Sequence, residues 1–210
     1  MIELSVNKAE IAELETVQFE GEIVVVTKAG DLDSALNDLR KNGIVGIDTE
    51  TKPSFKKGVT HKVSLLQLST LNKCYLIRLL QTGITESLIN FFEDKNIIKI
   101  GLSLVDDIRR LHNSGNFDPK GFIDLQPFVK KYGILDNGLQ RIYAIVFRQK
   151  ISKSQRLTNW EAITLTPSQQ KYAATDAWAC LKIYNELLSG NFQPEESCYR
   201  VIHTDDNEEI

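Results

Sequence analysis

The chain has 210 residues, 42% of them hydrophobic and 25% charged, and 25 Lys and Arg against 28 Asp and Glu give a formal net charge of −3. These values are ordinary for one soluble globular domain, and no apolar run approaches the roughly 20 residues that a membrane-spanning helix needs. The N-terminus lacks the apolar core of a secretory signal, and three widely spaced cysteines predict neither a zinc site nor a disulfide framework, so we expect a cytoplasmic location.

Short β-branched and apolar runs predict strands in the first half of the chain, and helical periodicity dominates later. The strands are expected at residues 22–26, 44–50, 62–69, 73–79 and 97–101. The helices are expected at residues 31–40, 86–92, 104–112, 121–132, 138–147 and 166–189, with a basic loop at residues 151–160. In the last helix Thr166 is the predicted N-cap, followed by Pro167 and by Gln169 three residues after the cap, and Gly190 ends the helix.

This order of elements indicates a mixed α/β layer architecture. We divide the chain into an N-terminal arm or helix at residues 1–20, one domain at residues 21–192 and an acidic C-terminal tail at residues 193–210. Because the tail is polar, we expect it to be poorly packed.

Two acids stand at the end of the second predicted strand. Side chains alternate across a strand, so Asp48 and Glu50 point to the same face. Neighbouring carboxylates repel each other unless a positive charge lies between them. A hard divalent cation such as Mg²⁺ or Mn²⁺ would supply that charge, and the alternative is an exposed strand end with two solvated acids.

The helix predicted at residues 104–112 carries two consecutive acids that point in different directions. Its apolar face consists of Leu104, Ile108 and Leu111. At about 100° per residue, Asp107 lies about 60° from the centre of this face and Asp106 lies nearly opposite it, so Asp107 is the acid expected to reach a site. Asp106 is explained by its place three residues after a candidate Ser103 N-cap, where a negative charge favours the helix dipole.

The last helix adds a tyrosine and another acid. Tyr172 and Asp176 are four residues apart and share one helix face. The alternative for this pair is a core tyrosine with an acid at its rim. Together with the three acids expected at the site, Asp176 would complete an all-carboxylate site for two cations, which stabilise the attacking and leaving oxygens in phosphoryl displacement. Tyr172 would then orient the attacking water.

The segments that hold these residues resemble the three motifs of the DEDDy 3′–5′ exonucleases, a family with a ribonuclease-H-like fold. The segments are Gly46-Ile47-Asp48-Thr49-Glu50, Lys99-Ile100-Gly101 with Asp107, and Tyr172-Ala173-Ala174-Thr175-Asp176. Residues 63–68 and 153–172 are also similar to the ribonuclease D and Werner-syndrome-type exonuclease subgroup. The similarity covers about residues 44–188.

This resemblance implies a central mixed β-sheet flanked by α-helices and a two-metal-ion mechanism. It implies that two divalent cations, Mg²⁺ or Mn²⁺, bind the four acids and that Tyr172 positions the attacking water. The metal-binding acids are Asp48, Glu50, Asp107 and Asp176. The reaction would hydrolyse the 3′-terminal phosphodiester of DNA or RNA and release nucleoside 5′-monophosphates. The sequence identifies no protein partner.

Basic residues are concentrated in two stretches that contain no acid, six at residues 51–85 and five at residues 137–160. Such stretches either contact nucleic-acid phosphates or are solvated loops. Lys153 and Arg156 are candidate phosphate contacts, and Phe55 is a candidate stacking platform for a base. Thr51 stands where many relatives have Trp, so its contacts to the terminal nucleotide would differ. The loop after the first motif also carries Lys52, Lys56 and Lys57.

Two other functions stay open. One is a non-catalytic nucleic-acid-binding module of the same fold, which the presence of four acids and Tyr172 disfavours. The other is a two-metal phosphoesterase acting on a small nucleotide, which the basic loops disfavour. Divalent-dependent trimming of a 3′-labelled oligonucleotide distinguishes the exonuclease from both.

Overall fold

The computed structural model describes residues 2–56 and 58–201. The strands are β1 (Thr16–Val17), β2 (Glu22–Val26), β3 (Ile44–Thr51), β4 (Val63–Ser69), β5 (Lys73–Ile77), β6 (Ile98–Gly101), β7 (Phe122–Asp124) and β8 (Lys150–Ile151). The helices are α1 (Lys8–Ala12), α2 (Ala29–Arg40), α3 (Leu79–Thr82), α4 (Glu86–Glu93), α5 (Leu104–His112), α6 (Leu125–Val129), α7 (Leu139–Phe147) and α8 (Pro167–Ser189). Among the helices of these described ranges, none combines the length and the apolar character needed to cross a bilayer.

Six strands form one mixed sheet in the order β2-β5-β4-β3-β6-β7. β4 runs antiparallel to both β3 and β5, whereas the other neighbouring pairs are parallel. Strands β1 and β8 form a separate parallel pair. Helices α2, α4 and α5 pack on one face of the main sheet, and α6, α7 and α8 pack on the other. The expected central mixed sheet flanked by α-helices is confirmed.

Helix α8 lies directly against the centre of the sheet because small residues line the contact. A Cβ atom at Gly46 in β3 would lie 1.8 Å from the carbonyl oxygen of Ala177, so only glycine permits this approach. The α8 alanines that pack here are completely buried, and they are Ala173, Ala174 and Ala177. The close contact brings the middle of α8 over the end of β3.

The predicted ends of α8 are confirmed. The Thr166 side chain accepts a hydrogen bond from the Gln169 N–H, and the Gln169 side chain accepts one from the Thr166 N–H. Pro167 occupies the first turn, where its missing N–H costs nothing. At the other end Gly190 adopts a left-handed conformation with φ 78°, which glycine takes at little cost.

The helix predicted at residues 121–132 is wrong in its first part. Phe122–Asp124 forms β7, which pairs in parallel with β6, and α6 begins only at Leu125. Over so few residues, apolar periodicity does not separate a buried strand from a helix, and the open edge of β6 decides the outcome.

Both ends of the described chain pack onto the domain. Leu4 is completely buried and forms bridges to Ile134 and Arg200. Tyr199 is only 7% exposed, and its carbonyl accepts a hydrogen bond from the Ser5 N–H. The expectation of a poorly packed tail is therefore wrong as far as residue 201. The segment is polar overall, but the buried Tyr199 ring anchors it to the domain. The rest of the predicted tail, residues 202–210, lies outside the described residues.

Candidate metal centre and active site

Three acids converge where α8 crosses the end of β3. Ile47 packs into the core on the far face of the sheet, so Asp48 and Glu50, on the alternate positions, face α8. Asp176 projects from α8 toward them. One carboxylate oxygen from each of these three acids lies within 4.8 Å of the other two. The structure thus brings together three of the four predicted metal ligands.

Asp107 approaches the cluster from the opposite face of the sheet. Thr49 alternates with the two clustered acids along β3, and its hydroxyl donates a hydrogen bond to the Asp107 carboxylate. Asp107 is not among the three acids whose oxygens converge, but it is near enough for its negative charge to raise the pKa of Asp48. Asp106 is exposed and accepts a hydrogen bond from Arg109 at 2.7 Å, so α5 directs its two acids to different sides.

Helix α5 is capped by an acid that the sequence did not single out. Ser103 is the N-cap residue, as predicted, but it has φ 60° and within the described residues its side chain makes no capping hydrogen bond. The Asp124 carboxylate accepts instead from the N–H groups of Ser103 (3.0 Å) and Leu104 (2.8 Å). Asp124 ends β7, so it fixes the first turn of the helix that carries Asp107. Only a prediction of strand β7 could have indicated this role, and the local periodicity predicts a helix there instead.

Tyr172 lies one turn before Asp176, and its hydroxyl donates a hydrogen bond to the Asp176 carboxylate. Its side chain is almost buried, and the Trp160 ring packs beside it with 6.0 Å between ring centroids. Burial, followed by the charges of Asp176 and Glu50, raises the pKa of Tyr172 above its ordinary range. The phenol therefore stays protonated and serves as a donor. Trp160 is completely buried, so its ring packs in the core.

Burial and mutual repulsion raise the pKa of the acids at this site. Burial first, and then the charges of Asp176 and Asp107, raise the pKa of Asp48 well above its ordinary value. Burial raises the pKa of Asp176 to about 7, although the hydrogen bond from Tyr172 and the charge of Lys153 lower it. An all-oxygen set of acids that resists ionisation unless a positive charge is added fits a hard divalent cation.

The segment at residues 152–165 carries two cations to this site and is held by buried groups. Arg78 is almost completely buried and donates hydrogen bonds to two carbonyl oxygens of the segment. Glu161 binds Lys52 at 3.0 Å and His61 at 2.9 Å, which ties the segment to the loop that follows β3. No local pattern indicates a role for Arg78 or Glu161, because each acts across a long separation along the chain.

The four predicted substrate contacts have different surroundings. Lys153 and Arg156 are exposed, and their charges lower the pKa of Asp176 and Glu50 respectively, so both face the acids. Thr51 follows a bulge at the end of β3 and lines a cavity of about 440 Å³. The basic side chains on the walls of this cavity are Lys52, His61, Arg109 and Arg110. Phe55 is 85% exposed. Lys57 lies outside the described residues.

Comparison with protein families identifies residues 23–190 as a match to the model described as 3′–5′ exonuclease. An Arabidopsis thaliana protein named 3′–5′ exonuclease is 30% identical over 187 residues, covering 81% of this chain and 65% of that protein. A mouse protein named bifunctional 3′–5′ exonuclease/ATP-dependent helicase WRN is 31% identical over 183 residues, covering 81% of this chain and 13% of that protein. The chain therefore spans less than two thirds of these relatives.

Among solved structures, Escherichia coli RNase D, described as an exoribonuclease involved in structured RNA processing, matches with a TM-score of 0.72 and 24% identity. The match covers 80% of this chain and 44% of that chain. At this identity the likeness shows the fold, and it confirms the expected ribonuclease-H-like architecture.

Proposed function

The chain belongs to the 3′–5′ exonuclease family, and from this membership and the acid cluster we propose that it hydrolyses the 3′-terminal phosphodiester of a nucleic acid strand. The products would be nucleoside 5′-monophosphates. The observation that carries the proposal is the convergence of Asp48, Glu50 and Asp176 within 4.8 Å, with the Tyr172 hydroxyl bonded to the last of them.

Two divalent cations, Mg²⁺ or Mn²⁺, would be held by the three clustered acids with Asp107 beside them. Carboxylate oxygens are the ligands that these ions prefer, and four acids in one place supply the negative charge that two such ions need. When bound, the ions supply positive charge to the attacking and leaving oxygens of the phosphodiester.

The protein's own groups would orient the reactants. Tyr172 keeps its proton, and its hydroxyl is fixed by Asp176, so it is suited to orient the attacking water. Lys153 and Arg156 would bind backbone phosphates, which hold a strand in place without reading its sequence. Phe55 would stack on a base, and Thr51 would contact the terminal nucleotide.

The proposal is tested with 3′-labelled single-stranded and duplex DNA and RNA, incubated with Mg²⁺ or Mn²⁺ and sized on a gel. We expect stepwise loss of single nucleotides from the 3′ end, abolished by EDTA. Asp48→Ala and Asp176→Ala should each lower the rate at least about 1,000-fold, since a two-ion site lacking one ligand no longer stabilises the transition state.

Asp106→Ala is the matched control, because Asp106 is an exposed acid beside the site that bonds only to Arg109 within the described residues. It should trim at the wild-type rate. Trimming that survives both Asp48→Ala and Asp176→Ala would reject the assignment. Metal-independent binding of every oligonucleotide without cleavage would instead favour a non-catalytic module. The four substrates also show whether DNA or RNA is preferred.

A further inference from the structure

Gln67, in the middle of β4, is a buried amide without a partner. Its side chain is completely buried, and within residues 2–56 and 58–201 neither its Nε2 nor its Oε1 atom has a hydrogen-bond partner. A buried polar group left unbonded destabilises the folded state, because it has given up its hydrogen bonds to water. A methionine of similar length would fill the same space without that cost, so packing alone does not account for an amide at this position.

The strand register places Gln67 beside the acid cluster. In the antiparallel pairing of β3 and β4, Gln67 lies directly opposite Asp48. Residues opposite each other share a face of the sheet, with Cβ atoms about 5 Å apart. The next β4 residue on this face, Leu65, packs with Tyr172 beneath α8. A glutamine amide extends well beyond Cβ and can therefore reach the Asp48 carboxylate.

Two of the other acids at the site accept side-chain hydrogen bonds. Thr49 donates a side-chain hydrogen bond to Asp107, and Tyr172 donates one to Asp176. For Asp48, the hydrogen bond that favours the ionised form comes from the backbone N–H of Thr49. In the part of the chain that the structure describes, neither Asp48 nor Glu50 has a side-chain donor, and of these two acids Asp48 lies directly across the strand from the unbonded Gln67 amide.

We infer that Gln67 is a positioning residue: its side-chain N–H₂, unbonded in this structure, would donate to the Asp48 carboxylate when a divalent cation binds there, and would hold that carboxylate in the binding orientation. This inference rests on the proposed function, since it assigns Asp48 as a metal ligand. Hydrogen bonds from neighbouring groups to a metal-binding carboxylate fix its rotamer and strengthen it as a ligand, and removing them weakens metal binding about 10- to 100-fold. Gln67 itself touches neither ion nor substrate.

The test measures Mn²⁺ binding directly, by the electron paramagnetic resonance signal of free Mn²⁺, in the wild type and in Gln67→Met. We expect the dissociation constant for Mn²⁺ to rise about 10- to 100-fold in the variant. The melting temperature in EDTA should stay equal or rise, because the variant removes an unbonded amide. At saturating Mn²⁺ the variant should recover most of its trimming rate. If Gln67→Met fails to fold, Gln67→Leu takes its place.

Gln169→Met is the matched control. Gln169 is also buried, but its amide already donates to the Thr158 hydroxyl and the Asn159 carbonyl. This variant should lose stability while binding Mn²⁺ as the wild type does. Equal Mn²⁺ dissociation constants in the wild type and Gln67→Met, or no Mn²⁺ binding by the wild type, would overturn the inference. A wild type that binds Mn²⁺ but cuts no oligonucleotide would refute the proposed function alone.

Discussion

Replacing Asp176 by asparagine should stabilise the metal-free protein while abolishing its activity. Asp176 is 8% exposed, and burial raises its pKa from the ordinary value of 3.8 to about 7. Asparagine has nearly the same shape, and its carbonyl oxygen can still accept the hydrogen bond from Tyr172. The variant therefore removes the cost of a buried negative charge and leaves the packing of α8 unchanged.

The magnitude follows from the pKa of Asp176. Between pH 4 and pH 7 the folded protein keeps a proton on Asp176 that the unfolded chain has released, so the folded state binds more protons. The contribution of Asp176 to the stability of the metal-free wild type is therefore full below about pH 4 and is lost as the pH rises through 7. At about 1.4 kcal/mol for each pKa unit, the total loss is about 4 kcal/mol, of which more than half falls between pH 5 and pH 8.

Urea unfolding in EDTA, followed by tryptophan fluorescence at pH 5 and pH 8, measures this difference. Asp176→Asn should exceed the wild type by about 4 kcal/mol at pH 8 and by much less at pH 5. Added Mn²⁺ should stabilise the wild type but not the variant. Asp106→Asn, which alters an exposed acid, should change neither value. An Asp176→Asn protein that is equally or less stable at pH 8 would refute the argument from burial.

Two further predictions concern the contact between α8 and β3 and the binding of phosphates. Gly46→Ala places a Cβ atom 1.8 Å from the Ala177 carbonyl oxygen, so it should cost about 3 kcal/mol or more and lower the melting temperature and the activity together. Gly30→Ala, in open space on α2, should do neither. Arg156→Gln should lower kcat/KM about tenfold or more and reduce the slope of log(kcat/KM) against log[salt] by about one, whereas Lys28→Gln, far along the chain from the site, should not.

The parts of the site that obey local periodicity could be predicted from sequence. Alternation along a strand places Asp48 and Glu50 on one face, and a spacing of four residues places Tyr172 and Asp176 on one helix face. The inward direction of Asp107 follows from the same helical geometry. These relations depend on the backbone repeat alone, so they hold whatever the neighbouring elements do.

The partners of these residues depend on pairing between distant segments and could not be predicted. Asp124 caps α5 because β7 lies next to β6 and ends level with the start of that helix. Gln67 faces Asp48 because of the register between β3 and β4, and a shift of one residue in that register would turn the Gln67 side chain to the other face of the sheet. No local pattern encodes either relation, and in both cases the residue looks ordinary in its own segment.

Charge along the chain illustrates the same limit, because several of the eleven cations in the two basic stretches serve the fold. Lys73 pairs with Glu22, Arg78 is buried against backbone carbonyls, Arg141 binds Asp136 and Lys150 donates to the carbonyl of Ala12. Lys153 and Arg156 are the cations whose charges act on the clustered acids. Two side chains cannot balance the three clustered acids, so binding a polyanion at this site requires the divalent cations as well. Nucleic-acid affinity should therefore depend on the metal as well as on salt. The same dependence should be seen in Tyr172→Phe, a variant that should cleave the strand more slowly.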